Sequence, residues 1–278
     1  MATSQGKRTS RGLYKLTTRF LVMLYLGLFI ALPLGMVFYK AIQNGPGALW
    51  QALTESQALD AFKLTFMAAG AVTLFNIILG TLAAYCLVRF RFPGYKILDS
   101  MIDLPFSIPT SVTGLTLASI LGPKSWIGSW LGNHGWNILY HPSSIYIAFM
   151  VVTLPFVIRS VEPLLRSIDL AEEEAAVTLG AGHLRIFLSV VLPAIRPGIL
   201  SGAVVSFARC LGEFGVVVFV AGTQPFQTEV ASTYIFSRIE QFDLQGASAA
   251  SVVVLSISYL LLWMIRFLES PPERRNER

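Results

Sequence analysis

Apolar residues run through this chain in long stretches separated by short polar segments. Crossing the hydrocarbon core of a bilayer takes about 20 apolar residues in helical form. Six stretches approach that length: Phe20–Tyr39, Leu64–Val88, Leu104–Leu121, Ser144–Val161, Ile199–Ala221 and Ala247–Phe267. The pattern predicts an all-α integral membrane protein with six transmembrane helices. Two of the six are irregular. The third carries Pro105 and Pro109, which remove backbone donors and bend a helix. Irregular backbone at membrane depth is tolerated where protein or water satisfies the freed groups. The hydroxyls of Ser107, Thr110, Ser111 and Thr113 either donate to an anion in a pathway or bond back to their own helix. The fifth stretch holds Arg209 and Glu213, and a charge at mid-membrane costs on the order of 2.5–3.5 kcal/mol. Spaced i,i+4, the two share a helix face and can neutralise each other. Either they form an ion pair that closes the bundle, or Arg209 faces a pathway that favours an anion while Glu213 holds its orientation. Gly198 and Gly202, with Ala208, Gly212 and Gly215, permit close helix packing.

The polar segment at residues 162–197 has its own order. Asp169 suits a helix N-cap, with Glu172 in the capping-box position. Leu170–Leu179 is rich in helix formers, and Gly180, followed by Gly182, suits a left-handed C-terminus. A second helix is predicted over His183–Leu192, with Leu184, Phe187, Leu188, Val191 and Leu192 on one face and Pro193 and Pro197 ending it. A short acidic helix braced by a second, one-sided apolar helix suits docking into a groove of a partner protein. An ordinary helical loop is the plain alternative.

Composition agrees with a membrane location. The chain is 54% hydrophobic and 13% charged, against about 25% charged for a soluble domain, and its mean hydropathy is +0.63. The net charge of +5 is spread over short loops between apolar runs, which excludes a basic nucleic-acid-binding surface. Placement of Lys and Arg sets orientation. With a cytoplasmic N-terminus, sixteen fall on the cytoplasmic side: the five of the leader Met1–Arg19, then Arg89, Arg91, Lys96, Arg159, Arg166, Arg185, Arg196, Arg266, Arg274, Arg275 and Arg278. Four fall outside: Lys40, Lys63, Lys124 and Arg238. This puts the Glu174 segment in the cytoplasm. The expected organisation is a basic leader (1–19), a permease domain (20–269) containing the loop 162–197, and a tail (270–278).

The remaining features narrow the chemistry. The first apolar run is too long for a signal peptide and lacks a cleavage site. A short transit peptide is the alternative reading of the leader. Cys86 and Cys210 read as small buried residues, and His134, His141 and His183 lack metal-ligand spacing. Trp126, Trp130 and Trp136 fit an interfacial belt. The segment Gly222–Gly246 reads as a short external helix or re-entrant segment. No phosphate-binding Gly-Lys-Ser/Thr loop, nucleophile elbow or zinc-protease motif occurs. Energy for any transport would therefore come from another chain.

Glu174-Ala175-Ala176, Gly180 and Leu192-Pro193, with Val190 where Ile is frequent, resemble the EAA loop of ABC-importer permease subunits. That resemblance implies a type I ABC importer permease fold and a coupling loop comprising Glu173, Glu174, Ala175, Ala176, Gly180, Leu192 and Pro193. Arg209 with Leu211-Gly212-Glu213-Phe214-Gly215 resembles the signature of sulfate and molybdate permeases, and the Arg89–Gly94 segment, Asp103-Leu104-Pro105-Phe106, Gly114–Ser119 and Thr228-Glu229-Val230 are similar to the T-type permeases of sulfate/thiosulfate importers. Cys210 and Val216 depart from the usual residues. The resemblance implies four kinds of partner: a related W-type permease subunit forming a heterodimer, two copies of a cytoplasmic ATP-binding subunit, an external sulfate/thiosulfate-binding protein, and membrane lipid. No nucleic acid is expected, nor a cofactor on this chain, since ATP and Mg belong to the ATPase. The expected translocation residues are Arg209, Glu213, Ser107, Thr110 and Ser111. The expected location is a bacterial inner membrane with both termini cytoplasmic, or a plastid envelope. Alternatives are a molybdate/tungstate permease, an ion-coupled secondary transporter and a membrane enzyme. Lack of repeats and of a catalytic constellation argues against the last two.

Overall fold

The structure, a computed structural model, describes residues 5–90 and 93–269. Arg91, Phe92, the first four residues of the leader and the tail 270–278 lie outside the described residues. All regular structure among the described residues is helical: α1 (Gln5–Leu26), a π turn (Gly27–Ala31), α2 (Leu32–Ile42), α3 (Pro46–Thr54), α4 (Ser56–Arg89), α5 (Tyr95–Ile102), α6 (Leu104–Ser107), α7 (Thr110–Leu121), α8 (Trp126–Asn133), α9 (Pro142–Ser167), α10 (Leu170–Thr178), α11 (His183–Ile186), a second π turn (Phe187–Val191), α12 (Leu192–Leu211), α13 (Gly215–Val220), α14 (Ala231–Glu240) and α15 (Leu244–Glu269). Among the described residues, five helices are long and apolar enough to cross a membrane: Thr17–Ile42, Ser56–Arg89, Pro142–Ser167, His183–Leu211 and Leu244–Met264. The pair Tyr95–Ser107 and Thr110–Leu121, bent by 115°, makes a sixth if taken as one span.

The core is the mutual packing of α4, α9 and α12. Small residues set its spacing. A Cβ on Gly202 would lie 2.8 Å from the Val157 Cα, and one on Gly80 would lie 2.9 Å from the Val157 Cβ. Backbones can approach this closely only where a side chain is missing. Val157, Ile158, Val161, Leu165, Val191 and Ile195 fill one half of this core. Phe149, Val152, Cys210, Leu211 and Val216 lie in the other half. Asn76 donates to the Thr153 hydroxyl at 2.8 Å, a buried polar tie between α4 and α9. Beyond this core, α14 is wedged beside α4 and α15, with Tyr234 buried against Ala58, Ala61 and Phe62. Its first amide, on Ala231, donates to Thr65 Oγ1 at 2.8 Å. The short helix expected within Gly222–Gly246 is this element.

Several sequence expectations change. The fifth span does not run through to Ala221: the helix starts at His183, continues to Leu211, breaks at Gly212 and restarts at Gly215. Pro193 and Pro197 therefore do not end a helix. Pro193 falls in the first turn of α12, directly after the π turn, whose extra residue relieves the clash of the ring with the preceding turn. The capping box at Asp169 is only half formed. Asp169 Oδ1 accepts from the Ala171 amide at 3.0 Å, without a returning bond from the Glu172 side chain. Cys86 is exposed on the outer face of α4, not buried; Cys210 is buried.

Candidate functional site

A bent span and the break that follows α12 meet at Gly215. The bent span is the pair α5–α6 and α7; the break separates α12 from α13. At Gly114 an added Cβ would sit 2.9 Å from the Val216 Cα, and one at Gly215 would strike the Thr110 hydroxyl and lie 3.0 Å from the Ser111 amide. The first turn of α7 thus lies directly against the first turn of α13. Glu213 sits in the break and is 1% exposed. Its Oε1 accepts from the Val216 amide at 3.2 Å, capping α13. Its Oε2 faces Arg209 Nη2 at 3.2 Å, without the alignment of a hydrogen bond. The Arg209 side chain is 40% exposed. Ser232 donates to the Glu213 carbonyl at 2.6 Å, and Phe214 packs on Phe236 at 5.0 Å between ring centres, so α14 buttresses the break.

Of the five expected pathway residues, Arg209, Glu213, Thr110 and Ser111 gather around this crossing. The Thr110 and Ser111 hydroxyls have no hydrogen-bond partner among the described residues. Ser107 lies on the far side of the bend, and its hydroxyl reaches only its own helix, at 3.5 Å from the Asp103 carbonyl.

The second cluster is built around α10. Gly180 has φ of +78°. The Gly180 amide donates to the Val177 carbonyl at 2.9 Å and the Ala181 amide to that of Ala176 at 3.0 Å, the paired bonds of a Schellman end. Glu173 pairs with Arg89 at the end of α4. Glu174 is exposed, as are Leu170, Val177, Leu184 and Leu188. Leu179 is 87% exposed. Ala175 and Pro193 are also exposed, Ala176 and Leu192 half-buried. Phe187 braces the unit by packing edge-on against Tyr85 of α4 at 5.5 Å.

A third cluster escapes sequence reasoning. Arg159 of α9 donates to both carboxylate oxygens of Asp103, at 2.8 Å each. It also reaches Asp99 Oδ1 at 2.7 Å, the Asp99 carbonyl at 2.9 Å and Glu162 Oε2 at 2.5 Å. Glu162 Oε1 accepts from Arg166 Nη2 at 2.6 Å. Helical spacing links Arg159, Glu162 and Arg166, but only tertiary structure joins them to Asp99 and Asp103.

Long apolar helices, one pair of them bent where it meets the break after α12, are what a membrane-spanning protein requires. The family described as "Binding-protein-dependent transport system inner membrane component" matches residues 76–271, and the chain belongs to that family. It is 40% identical over 253 residues to the "Sulfate transport system permease protein CysT" of Escherichia coli (strain K12), covering 91% of each chain. To the protein of that name from Synechocystis sp. it is 37% identical, covering 89% of this chain and 86% of the relative. Among solved structures, a chain of a bacterial ABC transporter for alginate, in complex with an alginate-bound periplasmic protein, superposes with a TM-score of 0.77 at 20% identity, over 96% of this chain and 97% of that one. The fold is that of an ABC importer permease.

Proposed function

We propose that this chain is the T-type permease subunit of a sulfate/thiosulfate ABC importer. The carrying observation is the crossing at Gly215, where the N-terminus of the twelve-residue α7 and two unpartnered hydroxyls meet the start of α13, and Glu213, bonded to the Val216 amide there, lies beside the partly exposed guanidinium of Arg209. A helix N-terminus presents free amides and a positive dipole end. Irregular backbone in a membrane protein is tolerated where it lines a cavity, and transporters place substrate sites at such helix breaks. Sulfate is a tetrahedral dianion whose oxygens only accept, and Arg209, Thr110 and Ser111 all donate. Glu213 orients Arg209 and keeps the resting site near neutrality. The names of the relatives support sulfate as the cargo.

Energy enters through α10. Its exposed residues Leu170 and Val177 lie on one face beside the carboxylate of Glu174, and Leu179 is exposed at its C-terminal end, a surface suited to a groove on a cytoplasmic ATP-binding subunit. Two copies of that subunit, carrying ATP and Mg, serve this chain and a W-type permease partner. An external sulfate/thiosulfate-binding protein delivers cargo to the opposite face. The permease sits in a bacterial inner membrane, or a plastid envelope, with both termini cytoplasmic.

The test is radiolabelled sulfate uptake by the complete importer in proteoliposomes, with molybdate as competitor. Uptake is expected to require ATP and the binding protein and to resist equimolar molybdate. Uptake driven by a proton gradient alone, or abolished by equimolar molybdate, would overturn the reading.

A further inference from the structure

We infer that Arg159 is a positioning residue that makes the broken span move with the coupling helix. The inference rests on the transport reading above. Arg159 lies on α9, which ends at Ser167, two residues before the Asp169 cap of α10. All five N–H donors of its guanidinium are engaged: two by Asp103, two by the side chain and carbonyl of Asp99, one by Glu162. Asp99 and Asp103 belong to the first arm of the bent pair, so one side chain grips that arm at two points a helical turn apart.

Asp103 joins α5 to α6 with helical backbone angles, φ −84° and ψ −8°, so its carboxylate has no cap role, and both oxygens go to Arg159 in a planar fork that only arginine matches. Edge-on packing of Phe106 on Phe156, at 4.9 Å, adds a second contact between the same arm and α9. The far end of the arm is the 115° bend, and the next residues past it are Thr110 and Ser111. A displacement of α10 therefore reaches the pathway hydroxyls through α9, Arg159 and the arm, without passing through the crossing itself.

The test uses the complete importer in nanodiscs and proteoliposomes on a Cys86→Ser background. Spin labels are placed at Ser100→Cys, on the arm, and Ser167→Cys, at the end of α9. With Arg159 in place, one narrow distance distribution is expected with and without ATP. Arg159→Lys keeps the charge and loses the fork; Asp103→Asn keeps the shape and loses the charge. In both, the distribution should broaden or split when ATP binds, while the complex still assembles. Sulfate carried per ATP hydrolysed should fall about tenfold, within the range of ordinary coupling. A distribution unchanged from wild type in both variants would overturn the inference. A wild-type importer that carries no sulfate would overturn the functional reading alone, because the distance measurement does not depend on cargo.

Discussion

At the scale of single residues, the pair Arg209 and Glu213 decides between a structural and a transport role. Its i,i+4 spacing was legible in the sequence, and so was the prospect of neutralisation. What spacing could not show is that Glu213 lies beyond the helix end, because Gly212 stops α12, and that its second oxygen caps α13. The carboxylate is buried and its partner is partly in solvent. Removing Arg209 thus leaves a buried charge uncompensated, which is costly even though solvent softens it. Arg209→Ala should lower the melting temperature of the purified complex and cut sulfate uptake at least tenfold; Arg209→Lys should do less of both. The informative variant is Arg209→Ala combined with Glu213→Gln. It removes the buried charge, so melting temperature should recover while uptake stays low. Recovery of uptake together with stability would reduce the pair to a structural role.

At the scale of elements, local chemistry was readable and tertiary consequence was not. Gly180 was legible as the end of α10 because few other residues enter the left-handed region cheaply. Pro105 and Pro109 announced a disturbed third span, but a 115° bend depends on where α13 receives α7. Pro193 misled, since a π turn is a backbone adjustment with no residue signature of its own. The Arg159 cluster was invisible because its links join α5 to α9 across residues far apart in the chain. The end of α10 can be tested alone. Nothing in this chain lies within 4 Å of a Cβ added at Gly180, so within the permease a substitution there acts through φ. Gly180→Val should cost about 1–2 kcal/mol in that conformation, fray the Schellman end and weaken retention of the ATP-binding subunit on affinity purification. Gly180→Asn, which tolerates the left-handed region, should retain it. Equal retention by both variants would show that the shape of this helix end does not matter for docking.

At the scale of the whole molecule, five of the six apolar runs coincide with helices long enough to cross a bilayer, and the third makes a sixth only if its bent pair is one span; the bilayer sets a length that is legible in the sequence. The burial pattern shows what the surroundings must supply. The apolar window of the first span contains no buried residue, and Leu74, Ile78 and Leu82 of α4 are exposed as well. Apolar surface this extensive needs lipid or a second permease against it. The orientation we propose within that lipid rests on the sixteen-to-four distribution of basic residues, since each translocated Lys or Arg opposes insertion. Two exposed positions test it: Thr178 at the end of α10 and Ser129 in α8. On a Cys86→Ser background, with Cys210 shielded by burial, a membrane-impermeant maleimide applied to intact spheroplasts should label Ser129→Cys and leave Thr178→Cys unmodified until the membrane is permeabilised. The reverse pattern would place α10 on the side where no ATP is hydrolysed. The whole mechanism, from the exposed face of α10 to the arm held by Arg159, would then have nothing to drive it.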